Sequence, residues 1–170
     1  MSALVVNLYG GPGCGKSTTA ALVFGELKKK GINCEMALEY AKDKVWEESL
    51  KTLDDQIYIF GKQLHKLWRL KDKVDVIITD SPLLMSMLYD KENSSPFRSL
   101  ILEQYKKFNN IDFFIERSTL YEPVGRLQTK EEAEALDNKL LSIVSIYGEI
   151  NIVNKDDAVD MICKLILEKI

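Results

Sequence analysis

Leu4-Val5-Val6-Asn7-Leu8-Tyr9, followed by Gly10-Gly11-Pro12-Gly13-Cys14-Gly15-Lys16-Ser17, is the stretch that decides the fold. The first six residues form a short, almost wholly apolar run with two β-branched members, which predicts a buried parallel strand. The next eight fit Gly-x-x-x-x-Gly-Lys-Ser, the pattern of a phosphate-binding loop. Ser17-Thr18-Thr19-Ala20 then opens a helix with Ala20, Val23, Phe24 and Leu27 at helical spacing. Lys28, Lys29 and Lys30 fill its last turn and Gly31 ends it. A glycine-rich turn can merely join a strand to a helix. Strand, loop and helix in this order are the context that marks the motif instead.

The chemistry needs that order. Glycines let the backbone curl so that successive N–H groups face one anion, and the helix N-terminus adds its positive dipole end. Gly11, Pro12, Gly13, Cys14, Gly15, Lys16, Ser17 and Thr18 are therefore expected to cradle a nucleoside triphosphate. Lys16 reaches the outer phosphates as a point charge, and Ser17 offers its hydroxyl to Mg²⁺. Cys14 reads as a small loop filler.

Working outward, 170 residues predict one domain, 1–170, with a core that needs no staples. A net charge of -3 gives no global basic field to draw the chain onto nucleic acid. Cys14, Cys34 and Cys163 are odd in number and lack metal-ligand spacing, so they predict free thiols in a reducing compartment. With no signal peptide and no membrane-spanning run expected, a cytoplasmic location follows.

Further strands are predicted at 32–38, 75–80, 111–116 and 150–153. Helices are expected from Leu53, after Ser81-Pro82, at 97–108, from Thr129-x-x-Glu132 (a capping box), and from Asn154, Asp156 and Asp157 onward. Leu53, Ile57, Phe60, Leu64, Leu67 and Trp68 form one predicted apolar stripe. Asn93-Ser94-Ser95-Pro96 reads as a loop, as does 118–128, the latter a short lid at about 118–130. Alternation of strands and helices predicts an α/β protein: a five-stranded parallel sheet with helices on both faces, a three-layer α/β/α fold.

Several residues outside the loop carry chemistry. Asp80 ends an apolar strand, where a carboxylate can hold Mg²⁺ through water beside the Ser17 hydroxyl; its plainer reading is a helix cap. Glu39 ends the second strand and can take a proton from an acceptor hydroxyl; its plainer reading is an exposed residue opening a helix. Arg117 and Arg126 bracket the Gly/Pro loop, and a guanidinium suits the oxygens of a transferring phosphoryl group. Gln56 and Gln63 share a helix face and can read a base edge. His65 has no partner at ligand spacing. Asn154-Lys155-Asp156-Asp157 fits a guanine-reading pattern, but Asp80 is not followed by the Asp-x-x-Gly of a GTPase. Asn154 is still expected near the nucleotide base, since it ends a strand of the same sheet.

With these residues in place, the chain resembles the small phosphate-loop kinases of the nucleoside and nucleotide kinase group. Glu39-Tyr40-Ala41-Lys42 is similar to the Glu-Tyr-Ala-Arg stretch of ribosylnicotinamide-kinase-like proteins, and it falls where deoxynucleoside kinases carry a catalytic Glu. Asp80-Ser81-Pro82 falls where that group carries an acidic signature, without its adjacent arginine. Arg117 and Arg126 match the group's lid arginines by position. The run from Pro123 to Ala133 resembles small phage-encoded ATP-binding proteins, some relatives of which phosphorylate hydroxymethyl-pyrimidine in DNA.

The resulting expectation is an ATP- and Mg²⁺-dependent kinase. Lys16, Glu39, Asp80, Arg117 and Arg126 are its catalytic residues. Ser17 and Asp80 serve the metal. Glu39, Gln56, Gln63 and Arg126 meet the acceptor, a hydroxyl of a nucleoside or of a modified nucleotide in DNA. Few arginines disfavour a monophosphate acceptor, which stays as the alternative beside an ATP-binding switch with no small-molecule acceptor. The Lys62, Lys66, Arg69, Lys71 and Lys73 cluster would suit a polynucleotide, and a homodimer is open.

Overall fold

The computed structural model describes residues 2–117 and 130–170. The loop at 118–128, the lid, its Arg126 and the capping Thr129 lie outside the described residues. Five strands, β1 (Leu4–Tyr9), β2 (Cys34–Met36), β3 (Val76–Thr79), β4 (Asn109–Glu116) and β5 (Ile150–Asn154), form one all-parallel sheet in the order β2-β3-β1-β4-β5. The helices are α1 (Lys16–Lys29), α2 (Tyr40–Trp46), α3 (Gln56–Trp68), α4 (Ser86–Tyr89), α5 (Ser95–Tyr105), α6 (Lys130–Val144) and α7 (Ala158–Leu167). The expected α/β architecture is what forms. Among the described residues, no helix is long and apolar enough to cross a membrane.

Every residue of β1 is buried. Its outer neighbours explain why: one face packs Leu4, Val6 and Leu8 with Ala20, Val23 and Leu27 of α1 and Ile162 and Ile166 of α7. The other packs Val5 and Tyr9 with residues of α3 to α6, among them Phe60, Ile101, Leu140 and Val144. A strand covered on both sides reads as a continuous apolar run because neither pleat faces water. The order of strands sets β1 beside β3, so the chain leaves both at the same sheet edge, the edge where α/β proteins bind ligands.

Local outcomes refine the sequence reading. Ser94 caps α5 through the Phe97 N–H, and Pro96 sits in its first turn, where no amide donor is needed, so Ser95-Pro96 belongs to helix and not loop. Pro82 is extended and precedes a 3₁₀ turn, Leu83–Met85, before α4. Asp55 caps α3 by accepting from the Tyr58 N–H, one residue before the helix. The predicted stripe is only partly right: Phe60 and Leu67 are buried, but Ile57 is 66% and Trp68 59% exposed. The buried arc of α3 is Phe60, Gln63 and Leu67, and Ile57 and Trp68 fall to its side around the helix.

A buried polar cluster interrupts the apolar layer. Asp112 on β4 accepts hydrogen bonds from the Asn7 side chain (2.8 Å) and the Tyr105 hydroxyl (2.5 Å). Burial pushes its carboxyl above the ordinary carboxylate range, and these two donors only partly offset the effect. A carboxyl with a higher pKa folded than unfolded binds its proton more tightly in the fold. Its contribution is present at low pH and is lost as pH rises past the ordinary carboxylate range and through the elevated value. Asp112→Asn is therefore expected to gain stability relative to the parent as pH is raised from acid to neutral in urea titrations. A stability difference that stays flat across that range would remove Asp112 as the source.

Candidate active site

The phosphate loop joins β1 to α1. Gly15 is the N-cap of α1 at φ +100°, a left-handed conformation that a side chain would resist. No acidic residue occupies the first turn of α1, so the dipole end of that helix is left positive. Gly11 is fixed by space: a Cβ there would lie 2.5 Å from Asp137 Oδ1 and 3.1 Å from Arg117 Nη2. Pro12 and Gly13 complete the turn. Cys14 is 1% exposed and packs its thiol into the core below the loop, so only its backbone faces the cradle, as suits a filler. Lys16 Nζ donates to the carbonyls of Gly10 (2.7 Å) and Gly11 (3.1 Å), which arches its side chain back over the loop. Thr18 is exposed in the first turn of α1.

Asp80 follows β3 and is 3% exposed. Its Oδ2 accepts from the Ser17 hydroxyl at 2.6 Å, and its Oδ1 accepts from the Glu39 backbone N–H at 2.9 Å. One carboxylate thus links the start of α1 to the residue that opens α2. The local sequence explains both contacts. Ser17 is one residue into α1, and Glu39 is the N-cap of α2 at the end of the β2 connection. Adjacent parallel strands carry both to the same edge. Burial raises the Glu39 carboxyl; Lys16 opposes that shift and the Asp80 charge adds to it. Loss of solvent around its hydroxyl, and secondarily the Glu39 charge, raises the phenol of Tyr89 of α4, although 42% of the residue stays exposed.

Behind this pair lies a fully engaged amide. Gln63 is 4% exposed; its Nε2 donates to Ala37 O (3.1 Å) and Thr79 Oγ1 (3.3 Å), and its Oε1 accepts from the Tyr40 N–H (3.1 Å). Thr79 Oγ1 in turn donates to Ala37 O and accepts from the Ser81 N–H. The expectation that Gln63 reads a base edge is corrected here: its hydrogen-bonding groups are spent tying the exits of β2 and β3 together, which places Glu39 and Asp80. Gln56, at the start of α3, donates to Leu53 O (2.5 Å) and lines a cleft of about 410 Å³ with Leu53, Ile57, Tyr89 and Phe97. The two glutamines share a helix face in sequence but not a site, because one points under the sheet edge and the other into the cleft.

On the opposite flank, Arg117 leaves β4 and its Nη1 donates to Pro12 O (2.8 Å). Its Nε donates to Asp137 Oδ2 at 3.1 Å, and Asp137 Oδ1 accepts the Gly11 N–H at 2.5 Å. Asp137 carries no motif signal; only the fold brings α6 onto the loop. Asn154 is exposed, and its Oδ1 accepts the Asp156 N–H (3.1 Å). The next residue reaches the loop: the Lys155 stem would stand 3.4 Å from a Cβ on Gly15. The β5–α7 turn therefore lies beside the phosphate cradle.

For a divalent cation the oxygens offered are the Ser17 hydroxyl and the Asp80 carboxylate, a hard donor set. Among the described residues no cluster of three or more His, Cys, Asp or Glu side chains stands at metal-binding spacing. That set fits Mg²⁺, which takes one or two protein oxygens and fills its shell with water and phosphate. It does not fit a dedicated protein cage.

A glycine-rich loop between a central parallel strand and a helix, with a lysine, a hydroxyl and a strand-end acid around it, defines a phosphate-loop protein of kinase-like fold. The chain belongs to the AAA domain family, whose model matches residues 5–157. Many solved chains share the fold, two NadR structures among them. The NadR protein in complex with NR superposes with a TM-score of 0.71 at 16% identity, over 95% of this chain and 51% of that one. The NadR protein in complex with NAD and AMP-PNP superposes with a TM-score of 0.64 at 15% identity, over 95% of this chain and 50% of that one. This chain thus spans about half the length of the structures it matches. No curated protein matches its sequence.

Proposed function

We propose that this protein is a kinase that moves the γ-phosphoryl group of a nucleoside triphosphate, ATP by preference, to a hydroxyl of a nucleoside-like acceptor. The observation that carries the reading is the double role of Asp80. It bonds the Ser17 hydroxyl on the donor side and the Glu39 backbone on the acceptor side, so donor cradle and candidate base share one anchor. The NadR structures, one with NR and one with NAD and AMP-PNP, agree with a nucleoside-like acceptor and an adenine donor.

In this reading Lys16 and the loop N–H groups beyond Gly11, whose own N–H is taken by Asp137, hold the phosphates, and Arg117 stands at the loop's outer flank with Arg126 assigned to the same task. Thr18 and Asn154 complete the donor contacts. Ser17 and Asp80 would hold Mg²⁺, which neutralises charge on the transferring group when bound. The Glu39 carboxylate takes the proton of the acceptor hydroxyl. The acceptor oxygen bonds to the γ-phosphorus, the bond from that phosphorus to the β-bridging oxygen breaks, and the diphosphate leaves with the electron pair. Gln56 and Tyr89 line a separate cleft, of which Glu39 is not a lining residue, and that cleft is assigned here to the acceptor.

That cleft also bears on the acceptor's charge. Asp54, Asp55, Asp90 and Glu92 line it against one lining lysine, Lys91, itself 3.0 Å from Asp54; Arg98, outside the lining, pairs with Asp90 at 3.5 Å, and an excess of acid remains. A phosphate monoester or a polynucleotide would meet net negative charge there, so an uncharged or cationic acceptor is favoured over a monophosphate and over DNA. The test is transfer of labelled γ-phosphate to nucleosides, nucleoside monophosphates, and plain or hydroxymethylated DNA. Labelling of nucleosides is expected. Labelling of monophosphates alone would select the monophosphate-kinase alternative, and hydrolysis that no acceptor stimulates would select an ATP-binding switch.

A further inference from the structure

Asp137 lies on α6, and Arg117 ends the segment that follows β4. They stand on opposite sides of residues 118–129 in sequence, yet their side chains meet and both reach the phosphate loop. The Asp137 carboxylate accepts the Gly11 N–H with one oxygen and receives Arg117 Nε with the other, and Arg117 Nη1 donates to Pro12 O. The two side chains are only 13% and 9% exposed. Three hydrogen bonds, two of them from the guanidinium itself, therefore tie Arg117 and Asp137 to two successive loop residues.

One donor is left over. Arg117 Nη2 stands 3.0 Å from Asp137 Oδ2, off the line a hydrogen bond needs, and is buried with no hydrogen-bond partner among the described residues. It faces Gly11, where a Cβ would come within 3.1 Å. Asp137 gives Nη2 a counter-charge but not a hydrogen bond, so a buried donor keeps capacity that an arriving anion in line with it can take. A free arginine also keeps much rotamer freedom, which a carboxylate fork removes in advance.

We propose that Asp137 is a positioning residue of the donor site: it pins the Arg117 guanidinium on Gly11 and Pro12, so that Arg117 Nη2 is presented to the terminal phosphate of the bound triphosphate. This rests on the donor-binding half of the function proposed above and not on the identity of the acceptor. The Asp137 charge partly offsets that of Arg117, and in a bare charge count it would weaken triphosphate binding. Orientation wins, because the hydrogen bond that Nη2 can give is directional and charge-assisted, whereas the Asp137 charge is already engaged by the Arg117 guanidinium and the Gly11 N–H.

The test compares affinity for AMP-PNP and for ADP, each with Mg²⁺, in the full chain. Asp137→Asn keeps an acceptor for the Gly11 N–H but sets an NH2 donor against Arg117 Nε, so it releases the guanidinium while holding the loop contact; Asp137→Ala removes both. Asp137→Asn and Arg117→Ala should each weaken AMP-PNP about tenfold and leave ADP nearly unchanged, as loss of one charge-assisted contact predicts. The double variant should lose no more than either single one, since both act through one guanidinium. Equal losses for both nucleotides would make Asp137 a mere structural support of the loop and overturn the proposal. So would unchanged or tighter AMP-PNP binding, or losses that multiply in the double variant. If the parent binds neither nucleotide, this proposal and the kinase reading fall together. If it discriminates them as stated but labels no acceptor, only the kinase reading falls.

Discussion

Glu39→Gln should lower phosphoryl transfer by roughly 10²–10⁴-fold, the range for loss of a positioned general base, and leave donor affinity intact. The amide is nearly isosteric, so the backbone N–H that reaches Asp80 at 2.9 Å stays in place and with it the link to Ser17. What disappears is the capacity to accept a proton. The pH profile supplies a second readout. Burial raises the Glu39 carboxyl from its ordinary value, with Lys16 opposing and Asp80 assisting. A base must be deprotonated to act, so the parent's rate should climb with pH through a limb above the ordinary glutamate range. That limb should be missing from the variant. Turnover unchanged in Glu39→Gln, or an identical acid limb in both proteins, would remove Glu39 from the mechanism.

Lys16→Ala is the second large effect and divides differently between binding and rate. Lys16 Nζ lies 2.7 Å from Gly10 O and 3.1 Å from Gly11 O, so the ammonium is already carried on the loop it serves. As a charge that follows the transferring phosphoryl group, its loss is expected to slow transfer by roughly 10²–10³-fold, the scale for deleting one electrostatic stabiliser of a transition state. Triphosphate affinity should fall as well, since the same ammonium meets the ground-state phosphates. Lys16→Arg should not restore activity: a planar fork cannot replace a compact point charge between two carbonyls and a phosphate. Steady-state transfer with calorimetric donor binding separates the two effects. An alanine variant with parental affinity and rate would leave the loop without its assigned task.

Both predictions draw on residues that are readable because they lie in one continuous piece or at a strand end. Gly10 to Ser17 folds as a local unit, and its spacing already encodes the turn and the helix start. Glu39 and Asp80 were legible for a weaker reason: each ends an apolar run, and parallel sheets gather such ends at one edge. Gln63 shows the limit. Its helical spacing from Gln56 is correct, but spacing does not reveal that its amide is already satisfied by Ala37, Thr79 and Tyr40. Ile57 and Trp68 show it again, since a periodic stripe gives a face and not the extent of what covers it.

By itself the sequence determined the class of fold, the phosphate loop, and two carboxylates at strand ends, because each is written in local order or in strand-and-helix alternation. Only the tertiary structure decided that Asp80 joins Ser17 to Glu39 and that Asp137 holds Arg117 against Gly11. These contacts join residues from 20 to 126 positions apart. They depend on strand order and on the face to which each helix returns, and hydrophobic periodicity carries information about neither.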